Sequence, residues 1–122
     1  MRILATTLAA LLLLALAGIA GAANVPPFPR LPGAWSHAEI NVTIKRTQHT
    51  LIVDHGRIVQ TNSSQLTLRE RGGIVVVVPL SQSTIVVIDG VPATVLDLKK
   101  RMDTQTMRID GGAAVRVRAS SF

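Results

Sequence analysis

Ile74-Val75-Val76-Val77-Val78 is the longest run of valine and isoleucine in this 122-residue chain, and Pro79 follows it directly. β-Branched side chains fit a pleated strand, and proline ends a strand because it has no N–H to donate. The run does not alternate between apolar and polar residues, so both faces of its strand should be covered. The sequence therefore predicts a β-sheet protein in which residues 74–78 form the central strand.

The sequence that precedes this run alternates with a period of two. Ile40, Val42 and Ile44 are separated by polar residues, as are Leu66 and Leu68, which predicts strands with one apolar and one wet face. Turn-forming residues recur about every eight to twelve residues, a spacing typical of an all-β sandwich or barrel. The predicted strands cover residues 39–45, 51–53, 57–61, 66–69, 74–78, 84–88, 105–109 and 114–118. The predicted turns lie at 71–73, 89–90 and 110–112, with a turn or bulge at 54–56.

One segment departs from the β pattern. Thr94 can act as an N-cap, Asp97 follows three residues later, and the apolar residues between and after them are spaced as in a helix. This segment predicts one short helical turn.

The N-terminus has the composition of an export signal. Arg2 is followed by an apolar stretch from Ile3 to Ala17 and by small residues at 20–22, which predicts a signal peptide over residues 1–23. A retained signal anchor is the alternative, because the stretch is long enough to cross a bilayer of about 30 Å. After cleavage no stable membrane span is expected. The predicted location is extracytoplasmic: periplasmic, cell-wall associated or secreted.

Four prolines follow the leader and separate it from the strands. Pro26, Pro27, Pro29 and Pro32 disfavour a helix, so residues 24–36 are predicted to form a semi-rigid stem. A single β-barrel domain is then expected over 37–122. Since the chain contains no Cys, this small domain must be held together by packing and backbone pairing alone.

The formal net charge of +6 favours association with anionic surfaces. Lys99, Lys100 and Arg101 form the densest basic cluster, and Arg116 and Arg118 project from one face of a predicted strand. These five residues are the predicted contacts to an anionic cell-envelope polymer, and an unknown protein partner is the other expectation.

Nucleic acid is not expected as a partner. Binding of single strands by β-barrels needs aromatic stacking platforms, and the aromatic residues Phe28, Trp35 and Phe122 all fall outside the predicted barrel.

The first hairpin suggests an alternative function. If Arg46-Thr47 is a two-residue loop, Ile40 pairs with Val53 and the apolar faces of both strands agree. The same register sets Glu39 opposite Asp54.

His37 and His55 then lie near the open end of this hairpin. With Glu39 and Asp54 they form a ligand set suited to a divalent cation. No linear metal motif such as HExxH is present, so the first expectation is that all four are ordinary polar residues at the rim. A metal-binding periplasmic or secreted protein is the alternative.

Motifs of catalysis are missing from the sequence. The chain has no Cys, no Tyr and no GxSxG elbow, and its glycine pairs lack the Lys of a phosphate-binding loop. Ser36 and His37 are neighbours, but adjacent residues of a strand point to opposite faces. We therefore expect neither enzymatic activity nor a cofactor.

Several segments together resemble small OB-like β-barrel domains of unknown function in exported bacterial proteins. They are Val53-Asp54-His55-Gly56, Leu66-Thr67-Leu68, the strand from Gly73 to Pro79, Ser83-Thr84, Asp89-Gly90, Leu96-Asp97-Leu98 and 111–119. The resemblance implies a Greek-key barrel of five or six strands whose end is closed by the turn at 96–98. It implies no catalytic or binding residues. The chain departs from these domains in placing Lys100-Arg101 where they usually have Gly in the turn after Asp-Leu.

These observations predict a non-catalytic extracytoplasmic β-barrel module with an interaction or structural role.

Overall fold

A computed structural model describes residues 25–122, and in this part of the chain every regular element except one 3₁₀ turn is a β-strand. The strands are β1 (His37–Ile44), β2 (Thr47–Thr61), β3 (Gln65–Glu70), β4 (Val75–Pro79), β5 (Ile85–Ile88), β6 (Val91–Ala93), β7 (Asp103–Ile109) and β8 (Ala114–Ser120). The 3₁₀ turn covers Val95–Asp97. Over the same residues, no helix has the length and hydropathy needed to cross a membrane. The predicted signal peptide at 1–23 lies outside the described residues.

The eight strands form one sheet in the order β4-β3-β2-β7-β8-β5-β6, and β1 pairs with β2 beside this path. Neighbours are antiparallel except β5 and β8, which are parallel. The predicted all-β class is confirmed. The closed barrel is not: the path ends at β4 and β6, and there are eight strands rather than five or six.

The open ends of the sheet have a local cause. β6 has three residues with Pro92 in the middle, so it can offer few backbone donors to a further strand. Leu80, Leu98 and Met102, which come from connecting segments, are buried in the larger apolar cluster.

The prediction that 74–78 forms the central strand is wrong. β4 is the terminal strand and pairs only with β3. Ile74 is 62% exposed and Val75 and Val77 are each 52% exposed, whereas Val78 is fully buried. An all-Val run has no polar residue to mark its exposed face, so sequence alone could not distinguish an edge strand from a central one.

The central strand is β2, which pairs with β1, β3 and β7. Its 15 residues pass without interruption through 54–56, where a turn or bulge was predicted. The irregularity lies further on, between Ile58 and Gln60.

The loop of the first hairpin also differs from the prediction. Lys45 and Arg46 are its two central residues, with φ of 48° and 67°, as a tight hairpin of this length requires. Ile40 therefore pairs with Leu51 rather than with Val53. The shift of two residues preserves the apolar faces, because side chains repeat every second residue.

The two faces of the sheet carry separate apolar clusters. The inner face holds the larger cluster, made of Ile58, Leu66, Leu68, Val78, Leu80, Val86, Leu98, Met102, Ala114, Val117 and Ala119. The outer face holds Leu51, Val53 and Met107. Val25, Phe28, Leu31 and Trp35, all from the proline-rich segment, pack against this outer cluster.

The short helical turn is confirmed. Asp97 accepts hydrogen bonds from the Thr94 backbone N–H at 2.8 Å and from its hydroxyl at 3.1 Å. Arg101 then adopts a φ of 78°, a region that glycine prefers. The Arg101 N–H donates to the carbonyl of Ile58 at 2.8 Å, which anchors this conformation. The turn thus keeps a glycine-like backbone although arginine occupies it.

Candidate functional site

Two regions of the described residues concentrate polar chemistry, one on each face of the sheet. The first is the seam, defined as the place where β1 and β3 meet along one edge of β2. β1 pairs with β2 as far as Asp54 and β3 pairs from Gly56 onward, while β7 occupies the other edge. Gly56 permits this close approach, because a Cβ there would lie 2.6 Å from the backbone oxygen of Arg69.

The seam brings His37, Asp54 and Glu70 together, and we call these three residues the seam cluster. His37 pairs with Asp54 in the β1–β2 register, and Glu70 pairs with Gly56 in the β2–β3 register. Each of the three offers a ligand atom, and these atoms all lie within 4.8 Å of one another.

The imidazole of His37 bridges two carboxylates. Nδ1 lies 2.6 Å from Oδ1 of Asp54, and Nε2 lies 3.0 Å from Oε2 of Glu39. These hydrogen bonds, first that to Asp54 and then that to Glu39, raise the pKa of His37 above its usual value near 6.5.

Burial distinguishes the seam cluster from an ordinary surface network. Asp54 is fully buried and Glu70 is 5% exposed, yet Oδ2 of Asp54 and Oε2 of Glu70 have no hydrogen-bond partner among the described residues. Thr106 pairs with Asp54 across β2 and β7, and within residues 25–122 its buried hydroxyl also lacks a partner. Burial, followed by interaction with the Asp54 carboxylate, raises the pKa of Glu70 to about 7. Two buried carboxylate oxygens of the seam therefore lack a donor, and the hydroxyl of Thr106 is also left unused.

Sequence reasoning identified part of this group. His37, Glu39 and Asp54 come together, but His55 does not join them. It points to the outer face, where its Nε2 lies 3.0 and 3.2 Å from the carboxylate oxygens of Asp103. Asp54 and His55 are neighbours in one strand, so their side chains had to diverge.

Glu70 is the member that sequence reasoning missed. The alternation in β3 could have pointed to it. Leu66, Leu68 and Glu70 share the buried face of β3, so a carboxylate occupies a position at which the alternating pattern predicts an apolar side chain. Its partners are distant in sequence, and the signal could not identify them.

The second region is a cleft of about 600 Å³ on the outer face, which we call the outer cleft. It lies between the proline-rich segment and strands β5, β7 and β8. Its lining residues are Pro27, Phe28, Pro29, Arg30, Leu31, Trp35, Ile85, Val87, Gln105, Arg116, Val117 and Arg118.

The arginines of the outer cleft hold its two walls together. Arg116 donates from Nε to the Pro26 carbonyl at 2.7 Å and from Nη2 to the Val25 carbonyl at 2.9 Å. The guanidinium of Arg118 lies 4.8 Å from the ring centroid of Phe28 and donates to Oε1 of Gln105. Arg116 thus fixes the backbone of the proline-rich segment. Arg118 stacks on the ring of Phe28 in that segment as a cation–π pair.

The other predicted contacts lie elsewhere. Lys99, Lys100 and Arg101 are exposed in the connection from the 3₁₀ turn to β7, and none of them lines the outer cleft. The structure therefore divides the five predicted cations into two groups.

The aromatic residues also have a position that the sequence did not indicate. Phe28 and Trp35 line the outer cleft, and Trp35 contacts the imidazole of His55 with 5.3 Å between ring centroids. Phe122 is 81% exposed. Two of the three aromatic rings thus lie against the sheet.

Comparison with protein-family models, curated proteins and solved structures finds no match to this chain. The resemblance to OB-like exported domains therefore stays a prediction, and the chemistry of the seam and of the outer cleft is the guide to function.

Proposed function

We propose that this chain is a non-catalytic extracytoplasmic module whose outer cleft binds the anionic groups of a cell-envelope polymer. The observation that carries the proposal is the composition of the cleft, in which Arg30, Arg116 and Arg118 stand beside the rings of Phe28 and Trp35.

The chemistry of the cleft fits a charged saccharide or phosphate polymer. Guanidinium groups present several N–H donors in a plane and match carboxylate, sulfate and phosphate oxygens. The aromatic rings add flat apolar surface between these charges. The net charge of +6 attracts a polyanion toward any face of the molecule before contact is made.

Arg30 and Arg118 are the cations that best suit a ligand. Both Nε and Nη2 of Arg116 are engaged by backbone carbonyls, so this side chain mainly maintains the cleft. The guanidinium of Arg118 contacts a ring and a side-chain amide, both uncharged, and a polyanion can compete for it. The predicted leader at 1–23 fits a role in the envelope.

The proposal is tested by titrating the full chain with a sulfated heparin oligosaccharide while following the fluorescence of Trp35, the single tryptophan. Binding should change the emission, and affinity should fall steeply as salt rises. The double variant Arg30→Gln/Arg118→Gln should lower affinity by about tenfold or more, since each charge-assisted contact is worth on the order of 1 kcal/mol.

A matched variant separates the cleft from net charge. Lys99→Gln/Lys100→Gln also removes two positive charges but lies outside the cleft, and its affinity should fall less than about threefold. Equal losses in the two variants would show that only total charge matters and would overturn the proposal. Equal binding of neutral dextran, or tighter binding of a single-stranded oligonucleotide, would also overturn it.

A further inference from the structure

We propose that the seam cluster binds a first-row divalent transition-metal ion through an imidazole nitrogen of His37 and one carboxylate oxygen each from Asp54 and Glu70. This site is on the inner face of the sheet and is independent of the outer cleft.

The unpartnered oxygens carry the inference. In the part of the chain that the structure describes, Oδ2 of Asp54 and Oε2 of Glu70 are buried side-chain atoms without a hydrogen-bond donor, and both residues belong to the cluster. A buried acceptor without a partner is destabilising, and more so when it is charged. Natural structures rarely contain two such atoms side by side unless a proton, a water molecule or a cation interacts with them. A divalent cation satisfies both oxygens and balances both charges.

The spacing of the cluster is close to that of a metal site. Ligand atoms bound at about 2.0–2.2 Å lie no more than roughly 4.4 Å apart across the ion. The three atoms of the seam cluster lie within 4.8 Å of one another, so a small side-chain adjustment is sufficient. The ion can enter from solvent, because the His37 side chain is 44% exposed.

Glu39 supplies the outer support that metal-bound histidines need. Its Oε2 lies 3.0 Å from Nε2 of His37, so it can hold the hydrogen on Nε2 and leave Nδ1 directed at Asp54 and Glu70. Binding then displaces the hydrogen between Nδ1 and Asp54, and the proton leaves to solvent. Glu39 acts here as a positioning residue, not as a ligand.

The donor set selects the class of metal. Ca²⁺ and Mg²⁺ prefer sites made only of oxygen atoms, whereas one imidazole and two carboxylates suit Zn²⁺, Mn²⁺, Co²⁺ or Ni²⁺. Three protein ligands leave coordination positions open to solvent, as in sites that exchange their metal or bind a further ligand.

The test is isothermal titration of the chelator-treated full chain with Zn²⁺ and, separately, with Mn²⁺, together with nitrogen-15 spectra of the imidazoles. We expect binding of one ion per chain, release of protons and a change in the resonances of His37. Glu70→Gln, which keeps the shape of the side chain, and His37→Gln should each weaken affinity at least about tenfold. Glu39→Gln should weaken it less and should alter the tautomer signature of His37.

The chain provides a matched control in His55, which also contacts a carboxylate but faces the other side of β2. His55→Gln should leave the affinity unchanged. Circular dichroism of each variant checks its fold, and if Glu70→Gln fails to fold, the His37 and Glu39 variants carry the test. Absence of saturable binding at millimolar metal, or binding that survives His37→Gln, would overturn the proposal. Binding that is lost in His55→Gln would overturn it as well, because it would assign the ion to another site.

Discussion

The His37–Asp54 pair of the seam cluster and the His55–Asp103 pair contain the same residue types but occupy different environments. His55 contacts Asp103 on the outer face, where the Asp103 side chain is 63% exposed and water can reach its carboxylate. His37 contacts Asp54, whose side chain is only 1% exposed and lies beside the buried Glu70. The His55–Asp103 pair is therefore an ordinary surface contact, whereas the His37–Asp54 pair belongs to a concentrated polar site. Burial, and not residue type, makes the difference.

The difference also shows how a β-sheet can build a polar site without a sequence motif. Asp54 and His55 are consecutive, and the pleat sends one to the seam and the other to the opposite face. Glu70 reaches the seam because β3 pairs with the same edge of β2 as β1 and begins where the pairing of β1 ends. The site therefore depends on strand register, and disturbing the register should affect it more than changing an exposed partner.

The largest expected effect is that of Gly56→Ala, which tests whether close strand contact forms the seam. The new Cβ meets backbone 2.6 Å away, so β3 must shift from β2, and we expect a loss of about 3 kcal/mol in the free energy of unfolding. Gly112→Ala is the matched control. Its Cβ meets the nearest atom at 3.4 Å, and we expect less than about 1 kcal/mol of change in either direction. Urea unfolding measures both variants, and equal effects would contradict a seam set by close approach.

The second-largest expected effect is the change in the stability of the chelator-treated protein with pH. Because the pKa of Glu70 is raised to about 7, the folded state holds a proton that the unfolded state has lost, and stability should fall as pH rises from about 5 to 7. We expect a loss on the order of 2 kcal/mol across this range. Glu70→Gln cannot ionise and should show a clearly weaker decline. A residual decline should remain, because the raised pKa of His37 acts in the same direction.

Urea unfolding at several pH values checks this prediction. Glu39→Gln, which changes an exposed carboxylate of the same network, should keep most of the decline. Identical pH profiles for wild type and Glu70→Gln would show that Glu70 is not the buried acid that its position suggests.

The smallest effect is expected at an exposed carboxylate, Asp110. The backbone N–H of Thr50 and then the imidazole of His49 lower the pKa of Asp110 below its usual value. Its contribution to stability is therefore present above about pH 4 and is lost as the pH falls through the lower folded-state pKa. Asp110→Asn also tolerates the φ of 54° at this position.

Thermal unfolding of Asp110→Asn should show a small decrease in Tm at neutral pH that disappears in acid. A decrease as large as that of Gly56→Ala, or one that persists unchanged at about pH 2, would contradict the contrast between buried and exposed pairs.

The sequence predicted local structure well. Asp89-Gly90 and Asp110-Gly111 form turns with positive φ at both residues, as expected from their turn chemistry. Thr94 and Asp97 form the predicted capping contacts of the helical turn. These features depend on residues close in sequence, whose conformational preferences are visible without the fold.

The candidate sites were predictable only in part. The pairing of β1 with β2 brought His37 close to Asp54 even though the predicted loop was displaced by one residue. Glu70 could not be assigned to the seam, because its approach depends on the β2–β3 register and on the absence of a side chain at Gly56. Likewise, the position of Phe28 and Trp35 against the sheet depends on apolar packing and on the hydrogen bonds that Arg116 donates to backbone carbonyls at 25 and 26.

By itself the sequence determined that the chain forms strands, where most of the turns lie and which residues are apolar, because backbone sterics and side-chain branching act within a few residues. Tertiary structure alone decided that the valine run lies at an edge, that the sheet stays open, and that three titratable groups from different strands share one seam. The physical reason is that strand order and register minimise exposed apolar area and unpaired backbone over the whole chain, a balance that no single segment encodes.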